Sequence, residues 1–412
     1  MKAFRLAAIL LAILVWPSLV IAQGEDDIRA EIQQIKQQLA EMDQLKARLA
    51  ELEKRLDESQ KAQQPAVSAG FKDEKVKIDG RIFIGLFDTG DQGTSPNGGA
   101  DINDAKIRLT FNPSKNVTIV NRLSTTGAKS ADFDYFYMDL AKALGPNNTL
   151  RIGQRKIDIG QETWVDSPEE NLLISPSIPH VVGYGTGMAL VGRFTDTAAS
   201  PMYEAGFVNG SKGVMSRPTS SLPINLKLGA PLRNDIFASA SYFDSGKLGA
   251  SDKSAIGIAE LTDAPAGATE WRRKIWELDV RYNAGNSGYR ALIPSTDLPR
   301  FMAAAMFGAF SDDASGVPDR DGKFWYVEGL YGLSDRLYTV ARYGAVDLDG
   351  GVLAALGKSP VAVNSYKRTS IGLGYRLTDL THLKTEYSFN ETSGGASEPS
   401  LDQWAFGVAS KF

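Results

Sequence analysis

The sequence has no cysteine and only two histidines, His180 and His382. Without cysteine, disulfide bonds and thiolate metal sites are excluded, and two histidines are too few for a multi-histidine metal site. The net charge of -4 gives none of the basic excess typical of nucleic-acid binding. Beyond residue 22, no apolar run is long enough for a transmembrane helix. We therefore expect no metal, no cofactor and no nucleic-acid partner.

The first 22 residues have the layout of a secretory signal peptide. A short basic region, Met1 to Arg5, precedes an apolar run from Leu6 to Leu14, and the small residue Ala22 ends the segment. The apolar run is too short to span a membrane, and polar residues follow it at once. We expect cleavage near Ala22, and the alternative is an uncleaved inner-membrane anchor.

Residues 23–64 have the apolar spacing of a coiled coil, with intervals of three and four residues. A stammer between Met42 and Leu45 interrupts the repeat once. Isoleucine at both alternating positions of the first register favours trimers or higher oligomers over dimers. The alternative is a single amphipathic helix packed against the rest of the chain, and residues 65–75 then form a linker. The predicted oligomerisation residues are Ile28, Ile32, Ile35, Leu39, Met42, Leu45, Leu49, Leu52 and Leu56.

From residue 76 to residue 412 the apolar period is two, which indicates β-strands. In the first of these, Ile82 and Ile84 share a face that lies opposite Lys77 and Arg81. Apolar residues on one face and charges on the other are typical of a transmembrane β-barrel, with lipid outside and water inside. The last strand alternates in the same way and ends at Phe412, which resembles the insertion signal of bacterial outer-membrane barrels.

Short turns alternate with long polar loops, as expected for periplasmic turns and extracellular loops. The predicted fold class is therefore all-β, an antiparallel transmembrane barrel of about 16 strands, which is wide enough for an aqueous channel. A strand at Ile256 to Ile258, paired near Tyr289, would raise the number to about 18. We prefer the smaller number, with Gly246 to Trp271 as one long outer loop.

The densest polar strand carries Arg151, Arg155 and Lys156, and the residues after it change face. Such a change indicates a bulge, or the entry of the chain into a loop. We expect the following loop to narrow the lumen, and the alternative is a surface loop. The predicted constriction residues are Trp164, Glu169, Glu170 and His180, and the predicted pore-lining, anion-binding residues are Arg151, Arg155, Lys156, Arg81, Lys106, Arg108 and Arg122.

Residues 152–162 resemble the Gly-x-Phe/Tyr-Lys-x-Pro-Phe-Gly-x-Glu stretch of the phosphate-selective porin O/P family. The matching residues are Gly153, Lys156, Gly160 and Glu162, and the sequence departs at Arg155, Asp158 and Ile159. A coiled coil before a barrel also resembles the layout of the DcaP-like porins. The resemblance implies a homotrimeric, 16-stranded porin in the outer membrane of a Gram-negative bacterium, with its coiled coil in the periplasm.

The predicted function is passive diffusion of small hydrophilic solutes, in particular anions such as phosphate or other oxyanions. The alternative to an anion path is a mixed field with weak selectivity. The alternative to a channel is a barrel that acts as a scaffold or sleeve for a partner protein, as an envelope tether or an electron-transfer conduit. We do not expect an enzyme, because neither His180 nor His382 lies in a setting that suggests a nucleophile.

Deleting residues 23–64 should leave the barrel inserted but weaken the oligomer, because the isoleucine and leucine seam needs partner helices to be buried. Crosslinking and analytical ultracentrifugation of the truncated and full-length proteins would measure the change. A peptide of residues 23–64 should associate as helices, and a peptide that stayed monomeric and unfolded at high concentration would contradict the prediction.

Overall fold

The structure is a computed structural model that describes residues 51, 76–89, 98–125, 132–197, 200–211, 221–259, 261–283, 299–349, 353–354, 362–394 and 402–412. The predicted signal peptide and linker lie outside the described residues. So does the predicted coiled coil, apart from Glu51. The chain divides into two units, Met1–Asp73 and Glu74–Phe412. Among the described residues, no helix is long and apolar enough to cross a membrane.

The second unit is built from antiparallel strands in chain order. Their bounds are β1 Val76–Thr89, β2 Gly99–Ser114, β3 Val117–Ser124, β4 Asp132–Ala141, β5 Asn148–Lys156, β6 Val181–Arg193, β7 Met202–Val208, β8 Ile224–Arg233, β9 Ile236–Asp244, β10 Leu248–Gly249, β11 Ile256–Ile258, β12 Glu270–Asn283, β13 Phe301–Ala314, β14 Arg320–Gly332, β15 Leu337–Asp349, β16 Leu353–Ala354, β17 Ala362–Val363, β18 Ser365–Arg376, β19 Thr381–Ser393 and β20 Gln403–Lys411. A single 3-10 turn, Glu162–Trp164, lies between β5 and β6.

The main sheet is a closed ring. Of its 18 described strands, the short β10 and β11 are not part of the wall, which leaves 16 wall strands. The first and last strands pair in one continuous register, from Arg81 opposite Lys411 to Thr89 opposite Gln403. A closed ring leaves no unpaired strand edge. The predicted all-β antiparallel barrel of 16 strands is therefore confirmed.

The larger strand number is wrong for a specific reason. Ile256 to Ile258 do form a strand, β11, but it pairs with Val181 to Gly183 of β6 rather than with two wall neighbours. All three of its residues are buried, and Ile256 and Ile258 belong to an apolar cluster with inward-facing side chains of the wall. The predicted outer loop after β9 thus turns back into the ring.

The two faces of the wall differ as the alternation predicts. On β1, Ile84 and Leu86 are exposed on the outside, whereas Phe83 is fully buried on the inside. On β12, Leu278 and Val280 are exposed outside, while the intervening Asp279 is buried inside. Period-two alternation places successive side chains on opposite faces of a strand. The middle of the outer surface is therefore largely apolar, and buried charged side chains of the wall such as Asp279 point inward.

The carboxyl-terminal residue lies against a glycine of the first strand. Gly80 and Phe412 exchange two backbone hydrogen bonds, both 3.0 Å long. A Cβ at position 80 would contact the Phe412 ring and would lie 2.7 Å from the carbonyl oxygen of Lys106. Gly80 therefore leaves the space in which the barrel closes over the terminal aromatic ring.

Gly80→Ala should lower the free energy of unfolding by about 1–3 kcal/mol, since a methyl group there overpacks the closure. Denaturant titration in detergent micelles would measure the loss. The control is Gly329→Ala on β14, where an added Cβ would meet only the Met302 carbonyl oxygen, at 3.9 Å. Equal losses at the two strand glycines would contradict a specific role for Gly80.

Candidate functional site

Beyond Gln154 of β5, the β5–β6 hairpin leaves the wall and enters the lumen. The β4–β5 ladder ends at Phe136 opposite Gln154, whereas the β5–β6 ladder continues to Lys156 opposite Tyr184. Gly153 has a φ of +130°, and a Cβ there would lie 2.7 Å from the Cα of Tyr137. A positive φ is accessible mainly to glycine. Gly153 is therefore where β5 separates from β4, and it explains the change of face that the sequence shows.

Residues 157–180 cross the lumen after this separation. The amide of Gly160 donates to Ser241 Oγ on β9 over 2.9 Å, and the amide of Gln161 donates to Asp279 Oδ1 on β12 over 3.2 Å. Further along, the amide of Ile174 donates to Glu386 Oε2 on β19 over 2.8 Å. Strand β5 ends at Lys156 and β6 begins at Val181, so residues 157–180 connect the two strands. We call residues 157–180 the inward segment.

One side of the lumen is filled by apolar side chains. Ile157, Ile159 and Ile178 of the inward segment pack with Ile256 and Ile258 of β11. Side chains of the wall strands complete this cluster. Their buried residues are Val181, Val208, Phe243, Ile275, Met306, Phe310, Phe324, Tyr326, Val346, Leu348 and Tyr366.

The opposite side, along β1 to β5, is polar. Most of the predicted pore residues lie there: Arg81 on β1, Lys106 and Arg108 on β2, Arg122 on β3 and Arg151 on β5. Their side chains retain contact with solvent, from 11% of the surface of Arg122 to 43% of that of Arg108. The structure thus brings these five basic residues together on one wall, which the inward segment faces.

Each of these cations lies beside a carboxylate. Because opposite charges in contact compensate each other, the wall carries a mixed field rather than a continuous positive stripe. The sequence analysis missed the acidic partners on β4, which lie opposite the basic residues only after the strands pair. The contacts are Arg81–Asp104 at 2.8 Å, Lys106–Asp134 at 3.1 Å, Arg108–Asp79 at 2.7 Å, Arg122–Asp134 at 2.9 Å and Arg151–Asp139 at 2.7 Å.

Two tyrosines of β4 hold guanidinium planes against the wall, and the sequence analysis missed these tyrosines as well. The Cζ of Arg122 lies 4.2 Å from the centre of the Tyr135 ring, and that of Arg151 lies 4.5 Å from the centre of the Tyr137 ring. Arg122 also donates to the hydroxyl oxygen of Tyr184 over 3.0 Å. Stacking of this kind orients a guanidinium and limits its motion. The sequence did contain a signal for these tyrosines, because β4 carries aromatic residues on both of its faces.

Arg155 and Lys156 lie on opposite sides of the hairpin. Arg155 is 1% exposed, pairs with the carboxylate of Glu204 on β7 and donates to Asn225 Oδ1 on β8 over 2.9 Å. It therefore lies apart from the basic residues of β1 to β3. Lys156 Nζ lies 2.5 Å from Asp166 Oδ2 in the inward segment, and His180 Nε2 lies 3.4 Å from the same oxygen. Although burial opposes it, the charge of Lys156 holds the pKa of Asp166 well below its usual value.

Two acidic residues of the inward segment, Glu169 and Glu170, face the first strand. Arg81 lies 3.8 Å from Glu169 and 3.5 Å from Glu170, and Lys411 of β20 lies 3.1 Å from Glu170. Burial raises the pKa of Glu169 to about 7 against the opposing charge of Arg81. Near neutral pH this carboxyl group is therefore only partly ionised. The fourth predicted constriction residue, Trp164, ends the 3-10 turn near the start of the segment.

Comparison with known proteins shows the fold. No protein-family model matches the chain, and no curated protein sequence matches it. The outer membrane channel DcaP of Acinetobacter baumannii aligns with a TM-score of 0.57 over 83% of this chain and 99% of that chain, at 15% identity. An anion-selective porin from Comamonas acidovorans gives 0.55 over 82% and 99%, at 11% identity. The trimer form of in-vitro folded OmpT from Vibrio cholerae gives 0.52 over 82% and 99%, at 10% identity. The chain thus has the fold of the outer-membrane porins.

Arg155→Ala should cost about 3–5 kcal/mol of stability, because it leaves the carboxylate of Glu204 buried without its partner. Arg108→Ala should cost about 0–1 kcal/mol, because that pair is half exposed to solvent. Denaturant titrations of both variants would compare them. In the double variant with Glu204→Ala, the loss should be smaller than the sum of the single losses. Equal costs for Arg155→Ala and Arg108→Ala would contradict this assignment.

Proposed function

We propose that the protein is a passive channel for small hydrophilic solutes in the outer membrane of a Gram-negative bacterium. The observation that carries the proposal is the closed 16-stranded wall with an apolar outer face, an inward charged face and one segment crossing the lumen. A wall of this kind satisfies its backbone in lipid, and 16 strands enclose more space than their own side chains fill. We place the water path between β1–β5 and the inward segment, since an apolar cluster occupies part of the other side.

A homotrimer with its coiled coil in the periplasm is part of the same proposal. The isoleucine and leucine seam of residues 28–56 supports it, because such a seam is buried only against partner helices. The likeness in fold to the trimer form of OmpT is consistent with it.

For the solute we propose small anions such as phosphate or other oxyanions. Five basic side chains on β1, β2, β3 and β5 support this, because guanidinium groups present forked donors to oxyanions. One protein of similar fold is described as an anion-selective porin. The neighbouring carboxylates compensate much of the positive charge, so we expect a weak rather than a strong preference.

The alternative, a sleeve around a partner protein, finds less support in the described part of the chain. A partner threaded through the barrel needs the middle of the lumen. That space is crossed by the inward segment, and β11 packs beside it. The chain's own residues therefore occupy the place that the partner would take.

The test is the reversal potential of single channels in a planar bilayer with a potassium chloride gradient. The unmodified protein should conduct and should favour chloride. Arg122→Ala should shift the reversal potential toward cation preference, because it removes a stacked cation from the path. The control is Arg233→Ala, on a side chain 72% exposed at the end of β8, which should leave the potential unchanged. Absence of conductance would contradict the channel, and a cation preference of the unmodified protein would contradict the anionic solute.

A further inference from the structure

Two charged side chains of β19 bind the backbone of the inward segment. Lys384 and Glu386 are two residues apart on the inward face, and each is 2% exposed. Lys384 Nζ donates to the carbonyl oxygen of Pro168 over 2.5 Å and also to that of Asn171. Glu386 Oε2 accepts from the amides of Ile174 and Ser175, both over 2.8 Å. The cation thus binds carbonyl groups, and the anion binds amide groups.

Neighbouring side chains fix the orientation of both contacts. The hydroxyl of Ser388 donates to the other oxygen of Glu386 over 2.9 Å. Arg342 of β15 donates to the carbonyl oxygen of Ser175 over 2.8 Å and to Asn171 Oδ1 over 2.6 Å. Charge-assisted hydrogen bonds of this kind are stronger than neutral ones, and more so out of water. Residues 168–175 are therefore held at both ends.

The placement of the anchors relates them to the water path. The two carbonyl groups bound by Lys384 belong to Pro168 and Asn171, which flank Glu169 and Glu170. These two glutamates face Arg81 of the polar wall at 3.8 and 3.5 Å. Only β20 separates β19 from β1 in the wall, so the anchors on β19 determine how closely the acidic side chains approach β1.

We propose that Lys384 and Glu386 are positioning residues that set the width and the selectivity of the water path. They do so through the backbone of residues 168–175 and need no contact with the solute. The inference rests on the proposed function, since it requires a conducting channel. When the anchors are lost, the segment moves away from β1, and Arg81 loses Glu169 and Glu170 while it keeps Asp104 of β2.

The first experiment compares single-channel conductance and reversal potential for Glu386→Ala, Lys384→Met and the unmodified protein. Both variants should conduct more and should favour chloride more strongly than the unmodified protein. The control is Asp313→Asn, which also removes a carboxylate but lies in a half-exposed pair with Lys274 at the end of β13. It should leave both quantities unchanged. If Glu386→Ala does not fold, Glu386→Gln keeps one carbonyl acceptor and should give a smaller change in the same direction.

The second experiment restores the position covalently. A Cβ at Gly372 of β18 would lie 2.5 Å from Cδ2 of Leu173, which brings cysteines at these two positions near each other. It would also lie 2.8 Å from the carbonyl oxygen of Thr385, so Gly372→Cys alone is measured as the control for the strain that this residue adds. The chain has no native cysteine, so the new pair stands alone. In the Glu386→Ala background, oxidation of Leu173→Cys with Gly372→Cys should return the conductance to the unmodified value, and a reductant should reverse this.

The outcomes separate the two proposals. An unmodified protein that does not conduct would contradict the channel itself. A conducting channel whose conductance and reversal potential are the same in the anchor variants would overturn the positioning role and leave the channel intact. A conductance that rises in Glu386→Ala and does not change when the engineered disulfide forms would also overturn the positioning role. The rise in conductance would then not come from residues 168–175.

Discussion

The separation of β5 from β4 at Gly153 determines where water can pass through this barrel. Beyond Gln154, where the β4–β5 ladder ends, both faces of the β5–β6 hairpin lie inside the ring. A wall strand, by contrast, has one face inside and one outside. Arg155 on one face is buried against β7 and β8, and Lys156 on the other pairs with Asp166 of the inward segment. Because β11 pairs with the free edge of β6, the departing hairpin leaves few unpaired backbone groups.

Burial then divides the interior into an apolar and a polar side. A charge without a partner is costly away from water, and several charges nearest the inward segment have partners of opposite sign. Lys227 of β8 illustrates this, since its ammonium lies 2.5 Å from Asp158 of the segment. The same pairing limits selectivity along β1 to β5. A wall whose every cation touches a carboxylate cannot act on a passing ion as a row of free charges would.

The sequence predicts the wall well and the interior poorly. Alternation on single strands gives the faces of Arg81 and Ile84, and turn spacing gives the strand number, because both depend on neighbouring residues. Arg122 pairs with Asp134, and Arg155 pairs with Glu204 on β7. The sequence does not indicate these partners, because only the closed sheet brings them together. Inward-facing Phe310 and Phe324 carried a usable signal, since large apolar side chains on the water-facing parity indicate that something packs over them.

The residues of the motif that resembles the phosphate-selective porins have structural roles in the hairpin rather than a role in binding a solute. Gly153 permits the separation, and Glu162 accepts the amide of Ser177 over 2.6 Å. The departures from the motif are structural as well, because Arg155 and Asp158 pair with wall residues and Ile159 joins the apolar cluster. Residues that shape the inward segment can occur in porins with different solutes. In the proposed channel, the side chains of β1 to β5 that face this segment are therefore the ones that would meet the solute.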